Sequence, residues 1–564
     1  MIPPHLPWAK AYPASVDWGA ELVGRPLYAL LDDAVRDYPK RPFLDFLGKI
    51  YTYREVGKLV ARAARGFQDL GVGKGDRVGL FLPNSPFYVI AYFAALKIGA
   101  TVVNFNPLYA EDEVKHQIND AEVSVMVTLD MPLLYDKLVK VCGATCLKRI
   151  VVGRMTDILP TLLALVYPAV KFRDVASLAP GSVLFSDLLD NDGDYAPAPI
   201  DPFNDVAVLQ YTGGTTGLPK GAMLTHANLA VNAMQSRLLV PRVAFGQERM
   251  LGVLPFFHVF AMTVVMNVAI LMGGVIILLP RFDLSQVVKT IHKKRPTIFP
   301  AVPTIYTAIN HYKDLKEYDL SSIRYCISGG APLPVEVKRD FEALTGCVLV
   351  EGYGLSETSP VVSCNPVDGV NKAGSIGLPV PGTYIDIVSL DDNTTLLPPG
   401  ERGEVCLRGP QVMKGYWKQP QETAGVLRTV AAAEGPFVQL RTGDVGYMDE
   451  DGYTFIVDRI KDMITAGGFK VYPRHVEEAI YLHPSVEECV VVGVPDEYRG
   501  QTVKAFIKLR AGQVLTREEL VAFLRDKLSP IEMPKQVAFR DNLPKTAIGK
   551  LSRKMLLEEE ARKA

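Results

Sequence analysis

Between Arg77 and Glu351 the chain repeats one pattern: a short apolar or β-branched run, closed by glycine, proline or polar residues and followed by helical spacing. The runs are Arg77–Leu82, Ala100–Val103, Val206–Tyr211, Met250–Leu254, Val275–Leu279, Tyr325–Ser328 and Val348–Glu351. Strands alternating with helices predict a parallel sheet wrapped on both faces, an α/β doubly wound architecture. The helix after Tyr51 carries its own start signal, Thr52 with Glu55 three residues on, and then buries Val56, Leu59, Val60, Ala63, Ala64 and Phe67 along one face. Ligands of such sheets bind beyond the carboxyl ends of the strands, so the loops that follow the runs are the first place to look for chemistry.

At 564 residues the chain is too long for one packing unit. From about Gly374 the texture changes to short strands and turns, which predicts a small β-barrel-like unit over 374–458. Alternation returns in the tail, with a helix over Pro473–Leu482, strands at Glu488–Val494 and Thr502–Leu509, and a helix over Arg517–Leu528. The expected division is a large domain over 1–458 and a small α+β domain over 459–564.

Lys plus Arg (61) and Asp plus Glu (62) nearly cancel, so the surface as a whole is not that of a nucleic-acid binder. Seven scattered cysteines and a start without a basic, apolar leader point to a reducing cytoplasm. Val259–Pro280 holds 22 residues without a charge, long enough to span a bilayer. Gly273 and Gly274 divide it, however, and a buried helix, a turn and a core strand are the expectation. Ile158–Val170 is too short to span and contains two prolines; it either packs under a loop or lies on a membrane surface, the second being the expectation here.

Gln210–Gly221 reads QYTGGTTGLPKG, a strand running into a loop of glycines and threonines that ends in Lys220. Glycines admit an anion close to the backbone, threonines donate hydrogen bonds and the lysine adds charge, so the loop suits phosphates. It is not a Walker A loop, because Leu218 and Pro219 separate the last glycine from the lysine.

This loop resembles the phosphate loop of the adenylate-forming superfamily of acyl-CoA synthetases, luciferases and peptide-synthetase adenylation domains. The resemblance continues in order through NPLYAEDEVKHQIND (Asn106–Asp120), LPFFHVFA (Leu254–Ala261), EGYGLSET (Glu351–Thr358), RTGD (Arg441–Asp444), DRIKDMITAGGFKVYP (Asp458–Pro473) and PKTAIGK (Pro544–Lys550). It implies that ATP, Mg²⁺ and coenzyme A are used, and that an acid is first converted to an acyl adenylate and then to a thioester.

It also implies roles for individual residues. Thr212, Gly213, Gly214, Thr215, Thr216, Gly217 and Lys220 hold phosphates, and Gly330 and Ala331 of SGGAP lie by the adenine, whose ring is offered Tyr353 between Gly352 and Gly354. Glu357 holds the metal and Thr358 touches the phosphates, while Asp444 and Arg459 take ribose and phosphate. Lys550 bridges the carboxylate and the α-phosphate. His258 lies by the acyl and pantetheine tunnel. A rotation about Lys461 replaces Lys550 with Gly467, Gly468 and Phe469 for the second step.

The glycine pair in QYTGGTTG, NPLY and the EGYGLSETSPVVSCNP run resemble the bacterial long-chain fatty-acid branch. Medium-chain or dicarboxylic acids, transfer to a carrier protein, and a non-catalytic acyl- or AMP-binding protein are the alternatives. The chain departs from the family pattern in the long EGPFVQLRTGD segment before Asp444 and in His475, which replaces an acid. Expected partners are a fatty acid, ATP and coenzyme A, with no nucleic acid. Peripheral contact with the inner face of the membrane and a lysine acetyltransferase acting on Lys550 complete the expectation.

Overall fold

The computed structural model describes residues 2–170, 174–212, 219–431, 435–466, 469–496, 499–546 and 551–562. The chain divides into two compact units, the first comprising Met1–Pro4, Ala11–Thr383 and Arg408–Leu427, the second His5–Lys10, Tyr384–Leu407 and Arg428–Ala564.

The first unit contains two large sheets. One has nine strands in the order Leu378–Pro379, Val361–Cys364, Val348–Gly354, Tyr325–Ser328, Ile298–Ala301, Arg249–Gly252, Val275–Leu278, Pro42–Phe46 and Lys49–Thr52. Its middle strands run parallel, and its outer ones antiparallel. The other has seven strands, from Val183–Leu184 through Arg149–Gly153, Val125–Leu129, Arg77–Leu80, Thr101–Asn104 and Val206–Thr212 to the antiparallel edge Lys220–Thr225. The expected doubly wound α/β architecture is thus present.

Local signals explain much of it. Thr52 Oγ1 accepts from Glu55 N at 3.2 Å and Glu55 Oε2 accepts from Thr52 N at 2.7 Å, starting the helix Tyr53–Asp69. Pro86–Lys97 is buried on every side rather than along one stripe, because all its faces are covered by protein. The long apolar stretch resolves into a π-helical segment Ala261–Asn267, a helical turn Val268–Leu271, a reversal at Gly273 and the core strand Val275–Leu278. Among the described residues no helix is long and apolar enough to cross a membrane.

His226 opens the helix His226–Leu238 and is fully buried, its Nδ1 accepting from Leu27 N at 3.1 Å. Burial pushes its pKa down to about 4, against the opposing pull of Asp205. Below about pH 6.5 the unfolded chain therefore binds a proton that the folded chain refuses until about pH 4. Stability is fully present above pH 6.5 and falls through that window by an amount on the order of 3 kcal/mol. Urea unfolding at pH 7 and 4.5 should show this loss in the wild type and a flatter slope in His226→Gln; equal slopes would contradict it.

The second unit contains two sheets of five strands. Tyr384–Val388, Gly403–Arg408, Phe437–Met448 and Leu427–Val430 form one, with Thr454–Arg459 also pairing with Phe437–Met448. Phe469–Val471, Ile464–Ala466, Gly500–Leu509 and Val486–Asp496 form the other, with Gln536–Phe539 added in parallel. Its core gathers Ile464, Val476, Ile480, Val491, Ile507, Leu520 and Leu524. The helix expected over Arg517–Leu528 ends at Leu524, where a turn brings Lys527 N and Leu528 N back to the Leu524 carbonyl and buries Leu528.

Candidate active site

Val206–Thr212 and Lys220–Thr225 form an antiparallel hairpin whose last pair is Thr212 with Lys220. Thr212 Oγ1 donates to the Lys220 carbonyl at 3.4 Å. The two ends of the glycine- and threonine-rich loop are therefore held together; Gly213, Gly214, Thr215, Thr216 and Gly217 lie outside the described residues.

Lys220 Nζ pairs with the Glu422 carboxylate and stands 5.4 Å from the centre of the Tyr416 ring. The Tyr416 hydroxyl donates to Glu357 Oε1 at 2.7 Å. Backbone bonds lay this segment along the hairpin: Met223 N to Gly415 O at 2.9 Å, Trp417 N to Gly221 O at 2.8 Å, and Met413 N to Glu357 O at 2.8 Å. A lysine, a phenol and a carboxylate from distant parts of the sequence thus form one polar chain beside the loop. Burial, reinforced by the neighbouring Glu357 carboxylate, pushes the Tyr416 phenol well above its usual range. Tyr416 therefore stays protonated and points its donor at Glu357.

Glu357 lies on the single 3₁₀ turn Ser356–Thr358, just past Val348–Gly354. Gly354 is required there, since a β-carbon would lie 2.0 Å from the Pro360 carbonyl oxygen. Thr358 is fully buried; its Oγ1 contacts the Pro360 and Leu355 carbonyls at 2.5 and 3.0 Å and accepts from Leu355 N at 3.0 Å. Its hydroxyl thus shapes the turn that presents Glu357.

Tyr325–Ser328 pairs in parallel with Val348–Gly354, with Ser328 opposite Glu351. The loop Gly329–Pro332 and the run Gly352–Tyr353 consequently emerge side by side at one end of the sheet. A β-carbon on Gly329 would lie 3.1 Å from the Phe260 ring and 3.6 Å from the Gly352 carbonyl, so the loop is packed between them. Gly330 has φ +83°, while Ala331 and Tyr353 are half-buried.

His258 is half-buried, and its Nδ1 accepts from Phe260 N at 3.3 Å. The segment around it is suspended on amides and a phenol from the seven-stranded half. Asn84 contacts Phe256 N at 2.8 Å and the Leu254 carbonyl at 2.9 Å, Tyr88 donates to the Phe256 carbonyl at 2.8 Å, and Gln210 donates to the Phe257 carbonyl at 3.1 Å. Asn104 links Tyr88 to Gln210 at 2.7 and 3.1 Å. Neither this network nor Tyr416 and Glu422 was singled out from the sequence. For Asn84, Tyr88 and Asn104 the one cue is a polar group inside an otherwise apolar run; Tyr416 and Glu422 carry none.

In the second unit Asp444 and Arg459 are opposed residues of paired strands, and Arg459 Nε meets Asp444 Oδ1 at 2.9 Å. Asp444 is buried and Arg459 exposed. Glu404 braces the turn before them, accepting from Gly443 N at 3.0 Å and pairing with Arg441 at 2.7 Å. Exposed Lys461 follows, in a turn where Asp462 N and Met463 N return to the Arg459 carbonyl. Arg553 reaches both Glu477 oxygens at 2.8 Å and Asp462 at 3.2 Å. Ala466 pairs with Phe469, which is 61% exposed, across the two-residue interval Gly467–Gly468; those glycines and Lys550 lie outside the described residues. Of the two departures, the segment before Asp444 lies, from Phe437 on, in the twelve-residue strand Phe437–Met448, and His475 pairs with Glu532 at 2.9 Å.

The architecture is that of a doubly wound α/β unit with clustered loops at its strand ends, joined in one chain to a second unit with an acid–arginine hairpin. Residues 31–417 match the model of the AMP-binding enzyme family, and residues 475–550 that of its C-terminal domain. The chain belongs to the AMP-binding enzyme family. It is 46% identical to a long-chain-fatty-acid–CoA ligase of Bacillus subtilis and 39% identical to one of Escherichia coli, each alignment covering 98% of both chains. Among solved structures it resembles an ATP-bound RpMatB-BxBclM chimera, with 29% identity, a TM-score of 0.83, and 96% and 99% of the two chains covered.

Proposed function

We propose that this protein is an AMP-forming fatty acid–CoA ligase whose acid is long-chain. The observation that carries the reading is the Lys220–Tyr416–Glu357 chain beside the phosphate-type loop, in a protein that shares nearly its whole length with long-chain-fatty-acid–CoA ligases.

The chemistry balances in two steps. A carboxylate oxygen attacks the α-phosphorus of ATP and the α–β phosphoanhydride bond breaks, releasing pyrophosphate. The coenzyme A sulfur then attacks the acyl carbon, its proton is lost, and the bond to the bridging oxygen breaks, releasing AMP. The first step brings two anions together, so a cationic and hydrogen-bonding cradle stabilises it.

In the first unit Thr212, Lys220 and the loop between them take phosphates, Gly330, Ala331, Gly352, Tyr353 and Gly354 face adenine, and His258 borders the acyl tunnel. Glu357 suits Mg²⁺, a hard cation that binds one or two carboxylates together with phosphate oxygens. Mg²⁺ would supply charge neutralisation there, while Tyr416 orients the carboxylate. In the second unit Asp444 takes ribose, Arg459 ribose and phosphate, and Lys550 the reacting oxygens. Lys461 is the hinge through which Gly467, Gly468 and Phe469 serve thioester formation. Acetylation of Lys550 would remove its charge and act as an off switch. The protein would work in the cytoplasm, in peripheral contact with the inner face of the membrane.

Pyrophosphate release with ATP and Mg²⁺, across acids from acetate to oleate, benzoate and pimelate, tests this. A maximum on a long-chain acid, with thioester formed when coenzyme A is present, is expected; a maximum on acetate, benzoate or pimelate would overturn the substrate assignment. Tyr416→Phe removes a hydrogen bond to a charged group, which is worth about 1.5–3 kcal/mol. It should lower kcat/KM roughly ten- to hundredfold and raise the Mg²⁺ needed for half-maximal rate. An unchanged Mg²⁺ titration would contradict the orienting role.

A further inference from the structure

The helix Pro473–Tyr481 starts without a cap of its own, since Tyr472 at its N-cap makes no side-chain bond to it. Its first-turn amides still need acceptors. One comes from the other side of Lys461: Asp458 Oδ2 accepts from Arg474 N at 2.7 Å, while Oδ1 accepts from Arg459 N at 2.7 Å. Arg553 Nη1 lies 3.7 Å from the same Oδ1. Asp458 is buried near the end of the strand Thr454–Arg459. Burial pushes its carboxyl up, and Arg553 and the two amides pull it back, so the anion depends on these partners.

The other partners of Arg553 follow Lys461 in the chain. They are both Glu477 oxygens at 2.8 Å, Asp462 at 3.2 Å and the Val491 carbonyl, to which Nε donates at 3.2 Å. All of these residues belong to the second unit. A backbone rotation at Lys461 therefore carries Arg474, Glu477, Asp462 and Arg553 together and leaves Asp458 behind. Exposed Arg402, 5.9 Å from the centre of the Tyr472 ring, also reaches across, but such a contact at an exposed site is weak. The buried carboxylate makes the charge-assisted contacts, and they exist in one orientation.

We infer that Asp458 is the latch of the hinge, a positioning residue that holds the segment after Lys461 in the orientation seen here by capping Pro473–Tyr481 and facing Arg553. The inference rests on the two-step reading with its rotation about Lys461. Each half-reaction then draws on the fraction of chains in its own orientation. Releasing the latch slows the half-reaction served by this orientation and speeds the other.

The test compares adenylation, followed as pyrophosphate release from oleate and ATP, with thioester formation from supplied oleoyl adenylate and coenzyme A. In Asp458→Asn one acceptor oxygen faces two N–H groups and Arg553 faces no charge. The ratio of the two rates should move at least about fivefold from wild type, as expected for loss of a hydrogen bond to a charged group. An unfolded fraction scales both rates equally and cancels from the ratio. Asp462→Asn also costs Arg553 a partner, but one on its own side of Lys461, so the ratio should stay within about twofold. Should Asp458→Asn yield no folded protein, Asp458→Glu, which keeps the charge but displaces it, should move the ratio at least about threefold. An unchanged ratio in the folded Asp458 variant, or an equal shift in Asp462→Asn, would overturn the latch. Wild type that releases no pyrophosphate would overturn the ligase reading instead. The latch is then decided by trypsin cleavage after exposed Lys461, which should be at least about threefold faster in Asp458→Asn than in wild type; equal cleavage would overturn it.

Discussion

Lys550→Ala is expected to reduce acyl-adenylate formation about a thousandfold while leaving thioester formation from supplied acyl adenylate and coenzyme A largely intact. The attacking carboxylate and the α-phosphate are both anionic. A cation placed between them acts only as they approach, so its loss falls on the transition state of the first step. Removal of a single such donor costs about 10²–10³ elsewhere, and loss of a full charge belongs at the upper end of that range. The second step joins a thiol to an already activated acyl group and has no such pair of anions to reconcile. Equal loss in the two half-reactions would remove the division of labour assigned to the second unit.

Glu357→Ala should produce the other large loss, about 10²–10³ in adenylation, with little change in thermal stability. The side chain is half-buried on a single turn whose geometry is held by Thr358 and the Pro360 carbonyl, not by the carboxylate. Deleting it therefore spares the turn and removes a hard oxygen ligand suited to Mg²⁺. Glu357→Gln separates charge from contact: the amide oxygen still accepts from Tyr416, but the anion is gone. If metal binding is its function, Gln should resemble Ala in rate and in its shifted Mg²⁺ dependence. A Gln variant with wild-type rate and Mg²⁺ titration would reduce Glu357 to a hydrogen-bond partner of Tyr416.

The strands at Tyr325–Ser328 and Val348–Gly354 were legible because β-branched and apolar runs end in glycine, and the capping box at Thr52 because its signal is local. Glu357, Asp444 and Arg459 stand out as candidates only through ordered motifs, since a lone turn acid carries no chemistry by itself. Tyr416 was invisible for a different reason: it lies 59 residues from Glu357, and nothing in KGYWKQP announces a partner so far away. The same holds for Lys220 with Glu422, 202 residues apart, and for Asn84, Tyr88 and Asn104, whose roles exist only once the two halves of the first unit are folded together. Gly354 shows the limit from the other side. The sequence offers no reason for a glycine at that position, and the close Pro360 carbonyl, which leaves no room for a β-carbon, supplies it.

The most direct measurement is the fate of oxygen. Oleate labelled with ¹⁸O in both carboxylate positions, incubated with the protein, ATP, Mg²⁺ and coenzyme A, should deliver one ¹⁸O to the phosphate of AMP for each oleoyl-CoA formed and leave pyrophosphate unlabelled. ADP and phosphate as products, or unlabelled AMP beside oleoyl-CoA, would show that no acyl adenylate is formed.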